Sequence, residues 1–190
     1  MIGLHNKYKE DYEHVPEVDG KGRFRDRFYY TGDIYLLPFD EVYKKKTYLP
    51  CIGFGLLMLG ALLGQGLLNQ PSSKTVWVVL PYLAQFLPAL FYFLGVMEYG
   101  MAGIRMKKPD YEKGVQRMRY CAIGLIALSL ISALADGVYL IRSLIQDGRT
   151  VGMGREILYF ACHGLTIGAA LGFGVYYDRI FSGITHEKSK

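Results

Sequence analysis

The sequence predicts an all-α membrane protein: four transmembrane helices in an antiparallel bundle, both termini cytoplasmic, preceded by a small juxtamembrane segment. Three observations predict it. Four apolar runs are each long enough to cross a hydrocarbon core of roughly 30 Å at about 1.5 Å per residue. The charged residues are segregated between those runs, and Lys and Arg collect on one side of them. Composition alone, 51% hydrophobic and 21% charged, would also suit a soluble domain, so the segregation decides.

Residues 1–47 form the first unit, a cytoplasmic segment. The opening residues are polar, and the first apolar run starts late and runs long, so no secretory signal peptide is expected. Lys7 to Gly22 mixes acids and bases with too little apolar content for a core and is expected to lack fixed structure. From Arg23 the character changes. Arg23, Arg25 and Arg27 alternate with Phe24, Asp26 and Phe28, and a Thr31-Gly32-Asp33 turn signal leads into the Ile34 to Leu37 run. Period-two alternation around a turn reads as a small β-hairpin.

These arginines, with Lys44, Lys45 and Lys46 and, further on, Lys107 and Lys108, are candidates to lie on an anionic membrane surface. Each basic residue close to such a surface contributes about 1 kcal/mol. The plainer reading is an ordered collar that binds nothing. Acids balance the bases in this segment and no nucleic-acid-binding motif is present, so no nucleic-acid partner is expected.

The second unit, residues 48–180, carries the spans at about 49–68, 76–97, 120–141 and 157–177; residues 181–190 are a cytoplasmic tail. Orientation follows from the basic residues, which are retained on the cytoplasmic side. Lys44, Lys45, Lys46, Arg105, Lys107, Lys108, Lys113, Arg117, Arg119, Arg179, Lys188 and Lys190 fall on one side, against Lys74, Arg142, Arg149 and Arg155 on the other. The expected location is therefore the cell membrane, multi-pass, with both ends inside. Tyr48, Trp77, Tyr99, Tyr120, Tyr139, Tyr159, Tyr176 and Tyr177 stand near the proposed span ends, where amphipathic rings favour the interface.

Helices in lipid associate through small residues and hydrogen bonds. Gly60 and Gly64 in the first span, Ser129, Ala133 and Gly137 in the third, and Gly164, Gly168 and Gly172 in the fourth recur near helical spacing. They are the expected packing stripes. The second span differs, with Pro81 and Pro88 breaking its hydrogen-bond ladder around Gln85. A kinked polar face of this kind is a gate or a packing site.

Polar residues at membrane depth are costly and are normally turned inward. Asp136 lies roughly 24 Å up the third span, His163 roughly 9 Å below the start of the fourth, and Gln85 roughly 13 Å down the second. All three fall in the outer half, and an Asp beside a His can take up protons near neutral pH. Gln85, Asp136 and His163 are therefore the candidate intramembrane polar site, to be weighed against an Asp136 that merely reaches the interface and a His163 that bonds a carbonyl.

Cys51, Cys121 and Cys162 all fall inside spans, which argues against a disulfide framework and a zinc site. No P-loop, metalloprotease pair, nucleophile elbow or dinucleotide fingerprint is present. The expectation is a non-enzymatic structural or accessory subunit, without cofactor or metal, that assembles with itself or a larger membrane partner in the lipid bilayer. The alternative is a small carrier or channel subunit that uses the outer-half polar residues.

Overall fold

The computed structural model describes residues 8–18, 20, 24–147 and 153–188. Among them are four helical segments long and apolar enough to cross a membrane, Glu41–Leu67, Val76–Met101, Lys108–Ile145 and Met153–Phe181. The first, α1 (Glu41–Leu67), starts well before its apolar run because Asp40 caps it, its side chain accepting the Tyr43 amide at 2.9 Å. The second is two helices, α2 (Val76–Ala84) and α3 (Phe86–Met101), interrupted at Gln85. Pro88 has no N–H for the Ala84 carbonyl and crowds it, so the ladder tightens there and the Gln85 amide donates to Tyr82 three residues back.

A one-turn helix, α4 (Lys108–Tyr111), and a π-helical turn (Glu112–Gln116) lead into α5 (Arg117–Asp147). The last long helix is α6 (Met153–Phe181). Helix α1 packs on α6 and α3, and α5 packs on α6, α2 and α3. Gly64 faces Cys162 while Gly172 faces Phe54, so α1 and α6 run in opposite directions.

Among the described residues, five short strands lie at one end of the helices, here the collar end. Strands β1 (Tyr12–Val18) and β2 (Phe24–Tyr30) form an antiparallel pair, and β3 (Asp33–Leu36) lies between β4 (Arg105–Lys107) and β5 (Thr185–Lys188). A hairpin is present, but not the expected one: β2 pairs with β1, from the stretch expected to lack structure, rather than turning at Thr31-Gly32-Asp33 to pair with β3. The reason is that both edges of β3 are taken, by β4 and by β5. Thr31 instead donates its amide to Asp11, and a side chain on Gly32 would strike Asp11 and Tyr30. Tyr30 ties the two sheets to α4, its hydroxyl donating to Asp33 O at 2.7 Å and accepting from the Lys108 amide at 3.0 Å. Burial raises the Tyr30 and Tyr35 phenols above their ordinary range, so both stay neutral. Tyr35 stacks on Tyr111 at 4.1 Å.

The basic residues of the collar are not all at the surface. Lys44 is buried, and its ammonium donates to the carbonyls of Gly100 and Ala102, satisfying the last groups of α3. Lys45, Lys46 and Arg27 are exposed, and so is Lys107, whose ammonium lies over the Tyr12 and Tyr30 rings. Lys108 is half-buried behind Tyr30. Arg23 lies outside the described residues, as does the side chain of Arg25. Exchanging Lys44 for Met is expected to cost about 1–2 kcal/mol, read as a lowered unfolding midpoint in detergent, because the carbonyls at the end of α3 lose their donor.

The packing stripes also differ from the expectation. Gly60, Gly164 and Gly168 face outward, and a Cβ added at any of them would meet nothing within 4 Å; of the expected glycines, Gly64, Gly137 and Gly172 touch a neighbouring helix. The α6 face turned inward is Glu156, Tyr159, His163, Thr166, Ala170, Phe173 and Tyr177, one residue round the helix from the glycines. Ser129 is buried and Ala133 half-buried on α5. Tight helix approaches occur instead at Gly55, Gly95 and Gly114: a Cβ on Gly114 would lie 3.0 Å from the Tyr99 amide nitrogen. Tyr99, Tyr159 and Tyr177, expected at the interface, are core residues.

Candidate functional site

The interior divides into two halves of opposite character. Toward the collar end it is aromatic and its polar groups are satisfied. Tyr92 donates to Cys51 O at 2.9 Å, Tyr99 and Thr47 share a 2.6 Å hydrogen bond, and Phe173 packs edge-on against Tyr92 at 5.0 Å. Met58, Leu62, Leu125 and Phe173 continue this core without a break.

Toward the far end, where α1 and α5 finish and α6 begins, the buried residues are polar. Glu156, in the first turn of α6, grips the short 3-10 turn Pro71–Lys74, accepting from the Ser72 amide at 3.0 Å and the Ser72 hydroxyl at 2.9 Å. Next to it, Arg155 donates to Asn69 O at 3.2 Å. Asn69 takes the left-handed backbone, φ 43°, that Asn tolerates and most residues do not. The connection between α1 and α2 is thereby clipped onto the start of α6.

Asp136, fully buried on α5, adjoins this clip: Ser72 and Glu156 are the groups that act on it. One turn along α6, the Tyr159 hydroxyl reaches Ser132 Oγ at 3.3 Å, and its ring meets the edge of His163 at 4.6 Å. Deeper still, the break in the second segment places Gln85 against α5, where its Oε1 accepts from Ser129 Oγ at 2.8 Å. A column of polar side chains therefore descends from Ser72 through Glu156, Asp136, Tyr159 and Ser132 to His163, Gln85 and Ser129.

Much of this column is unsatisfied. Among the described residues, the buried side-chain polar atoms without a hydrogen-bond partner are both oxygens of Asp136, both nitrogens of His163, both polar atoms of Gln65 and Oε1 of Gln70. All belong to residues at the far end of the helices. Native interiors rarely leave such groups unpaired, and each one commonly marks a place where water or an ion belongs.

No protein family model, curated protein or solved structure matches the chain.

The three residues singled out from sequence do not come together as a trio. Asp136 and His163 share no hydrogen bond; Tyr159 stands between their positions and contacts the His163 ring. Gln85 has its own partner in Ser129. What sequence reasoning missed is Glu156, with Ser72, Tyr159, Gln65 and Gln70. A signal for part of this was present, since Glu156, Tyr159 and His163 recur at i, i+3 and i+7 and so share one helix face. Among the described residues no three of His, Cys, Asp and Glu gather as a metal centre.

Proposed function

We propose that this chain is a multi-pass protein of the cell membrane, collar end and both termini cytoplasmic, its four long helices an antiparallel bundle around the polar column. In this reading it is a small carrier or channel subunit, with no enzymatic activity, and the column is the extracytoplasmic half of a path for a proton or small cation. The observation that carries it is the set of unpartnered buried atoms on Asp136, His163 and Gln65, all in the half of the interior away from the collar. A structural bundle gains nothing from bare polar groups at membrane depth, where a buried charge costs about 2.5–3.5 kcal/mol on insertion scales. The break at Gln85, beside Ser129, supplies an element able to move, since broken helices line such paths in membrane proteins. Met58, Leu62, Leu125 and Phe173 would be the barrier on the cytoplasmic side.

The test is flux in proteoliposomes under an imposed potential, with proton and cation readouts. Asp136→Asn is expected to cut the flux at least tenfold, and His163→Ala to reduce it. Flux absent from the wild type, or the same in both variants, would sink the reading.

A second reading, an accessory subunit assembled with itself or a larger membrane partner, is favoured by one observation: Gly60, Gly164 and Gly168 face outward with no neighbour. Small residues on an outer face permit close approach of another helix. Cysteine placed at position 164 is expected to cross-link to a second chain in native membranes; a strictly monomeric product would count against this reading.

A further inference from the structure

We propose that the far end of the helices is a binding site for a small hard cation, held between the carboxylates of Asp136 and Glu156. The inference deepens the reading above, and rests on it in taking the column as reachable from the face away from the collar.

Both carboxylates are buried, and they come from different helices, α5 and α6, that the Ser72 turn draws together. Their needs differ. Glu156 has an amide and a hydroxyl donor from Ser72, the arrangement that stabilises an ionised carboxylate. Asp136 has none: neither oxygen has a hydrogen-bond partner, although Glu156 and Ser72 adjoin it. Two carboxyl groups side by side in a buried place are relieved either by a proton kept on one of them or by a cation between them. The described side chains do not provide one. Lys74, Arg142 and Arg155 are the described basic residues at this end, and all three are exposed.

The chemistry of the donors selects the ion. The groups that act on Asp136 are oxygen donors, the Glu156 carboxylate and the Ser72 hydroxyl, and the Tyr159 hydroxyl feels its charge. Oxygen donors with carboxylate charge suit alkali and alkaline-earth ions, whereas thiol and imidazole donors would favour transition metals. Two ionised carboxylates match one divalent ion, with Ca2+ the best fit because it tolerates irregular oxygen sites completed by water. A monovalent ion balances the site if one carboxyl keeps its proton. The Ser72 turn closes the site from the end of the bundle, so release of its two hydrogen bonds to Glu156 would open it.

The experiment is calorimetric titration of the intact, detergent-solubilised chain with Ca2+, Mg2+ and Na+ separately, at neutral pH and up to about 10 mM, the weak end of protein calcium sites. Saturable binding at one site per chain is expected, tightest for Ca2+, with a rise in the unfolding midpoint. Asp136→Asn should weaken it at least tenfold, Asp136→Glu should retain part of it, and Gly164→Ala, on the outer face of α6, should leave it unchanged. Tightest binding of Na+ in place of Ca2+ supports the site and assigns the monovalent form. Silence toward all three ions in folded wild-type protein overturns the proposal, as does binding that survives Asp136→Asn. The two ideas fail separately: proton flux without cation binding leaves the carrier reading and removes this one, and cation binding without flux does the reverse.

Discussion

Glu156→Ala is expected to lower the stability of the folded chain by about 3 kcal/mol, the largest loss of any single side-chain truncation at the far end. The carboxylate accepts two hydrogen bonds from Ser72, and both residues are fully buried. Its removal leaves the Ser72 amide without its acceptor where water does not easily reach, and frees the α1 to α2 connection from the start of α6. Glu156→Gln keeps the shape and one acceptor, so it should cost about half as much. The measurement is reversible unfolding in mixed micelles for the single variants and for Ser72→Ala. In the double variant Ser72→Ala, Glu156→Ala the losses should not add, because the second change removes a partner already lost. Additive losses would show that the clip holds nothing.

The second large effect is expected at the collar end. Gly114→Val should destabilise by about 3 kcal/mol or prevent folding, and Gly114→Ala by about 2 kcal/mol. A methyl at this position meets the Tyr99 backbone, nitrogen at 3.0 Å and Cα at 3.3 Å. Backbone cannot step aside as a side chain does, so α3 and the π-helical turn must separate. Gly95 faces the same junction, where its Cβ would lie 3.1 Å from Gly114 O. The control is Gly164→Ala, on an outward face with open space beside it. That change should be neutral, or stabilising by up to about 1 kcal/mol, from the better helix propensity of alanine. A comparable loss at both glycines would refute the distinction between inward and outward positions.

The long helices are legible in the sequence because a continuous apolar run is a local property, measured with a ruler. Their collar-end extensions are not. The start of α1 depends on a cap at Asp40 and on Lys44 finding the carbonyls of Gly100 and Ala102, contacts between residues far apart in the chain. Strand pairing escapes the sequence for the same reason. Alternation identifies β2, but which strand it joins depends on β3 being occupied on both edges by β4 and β5, each too short to stand out. Spacing finds the glycines and cannot say which face of the helix turns inward.

The site is partly legible. Gln85, Asp136 and His163 stand out because a polar residue inside an apolar run is conspicuous. Glu156 and Ser72 do not, since at a helix start or in a connection such residues are ordinary; only their burial against Asp136 gives them meaning.

The three-stranded sheet has a consequence for how the molecule is made. Its centre strand, Asp33–Leu36, is translated before every long helix, one flank, Arg105–Lys107, comes midway, and the other, Thr185–Lys188, follows the last of them. The sheet therefore stays incomplete throughout synthesis and closes only when all four helices have been produced. A chain stalled before residue 185 would expose one side of its centre strand, an open edge of the kind that invites foreign strands. Closure of that edge therefore comes only after all four long helices.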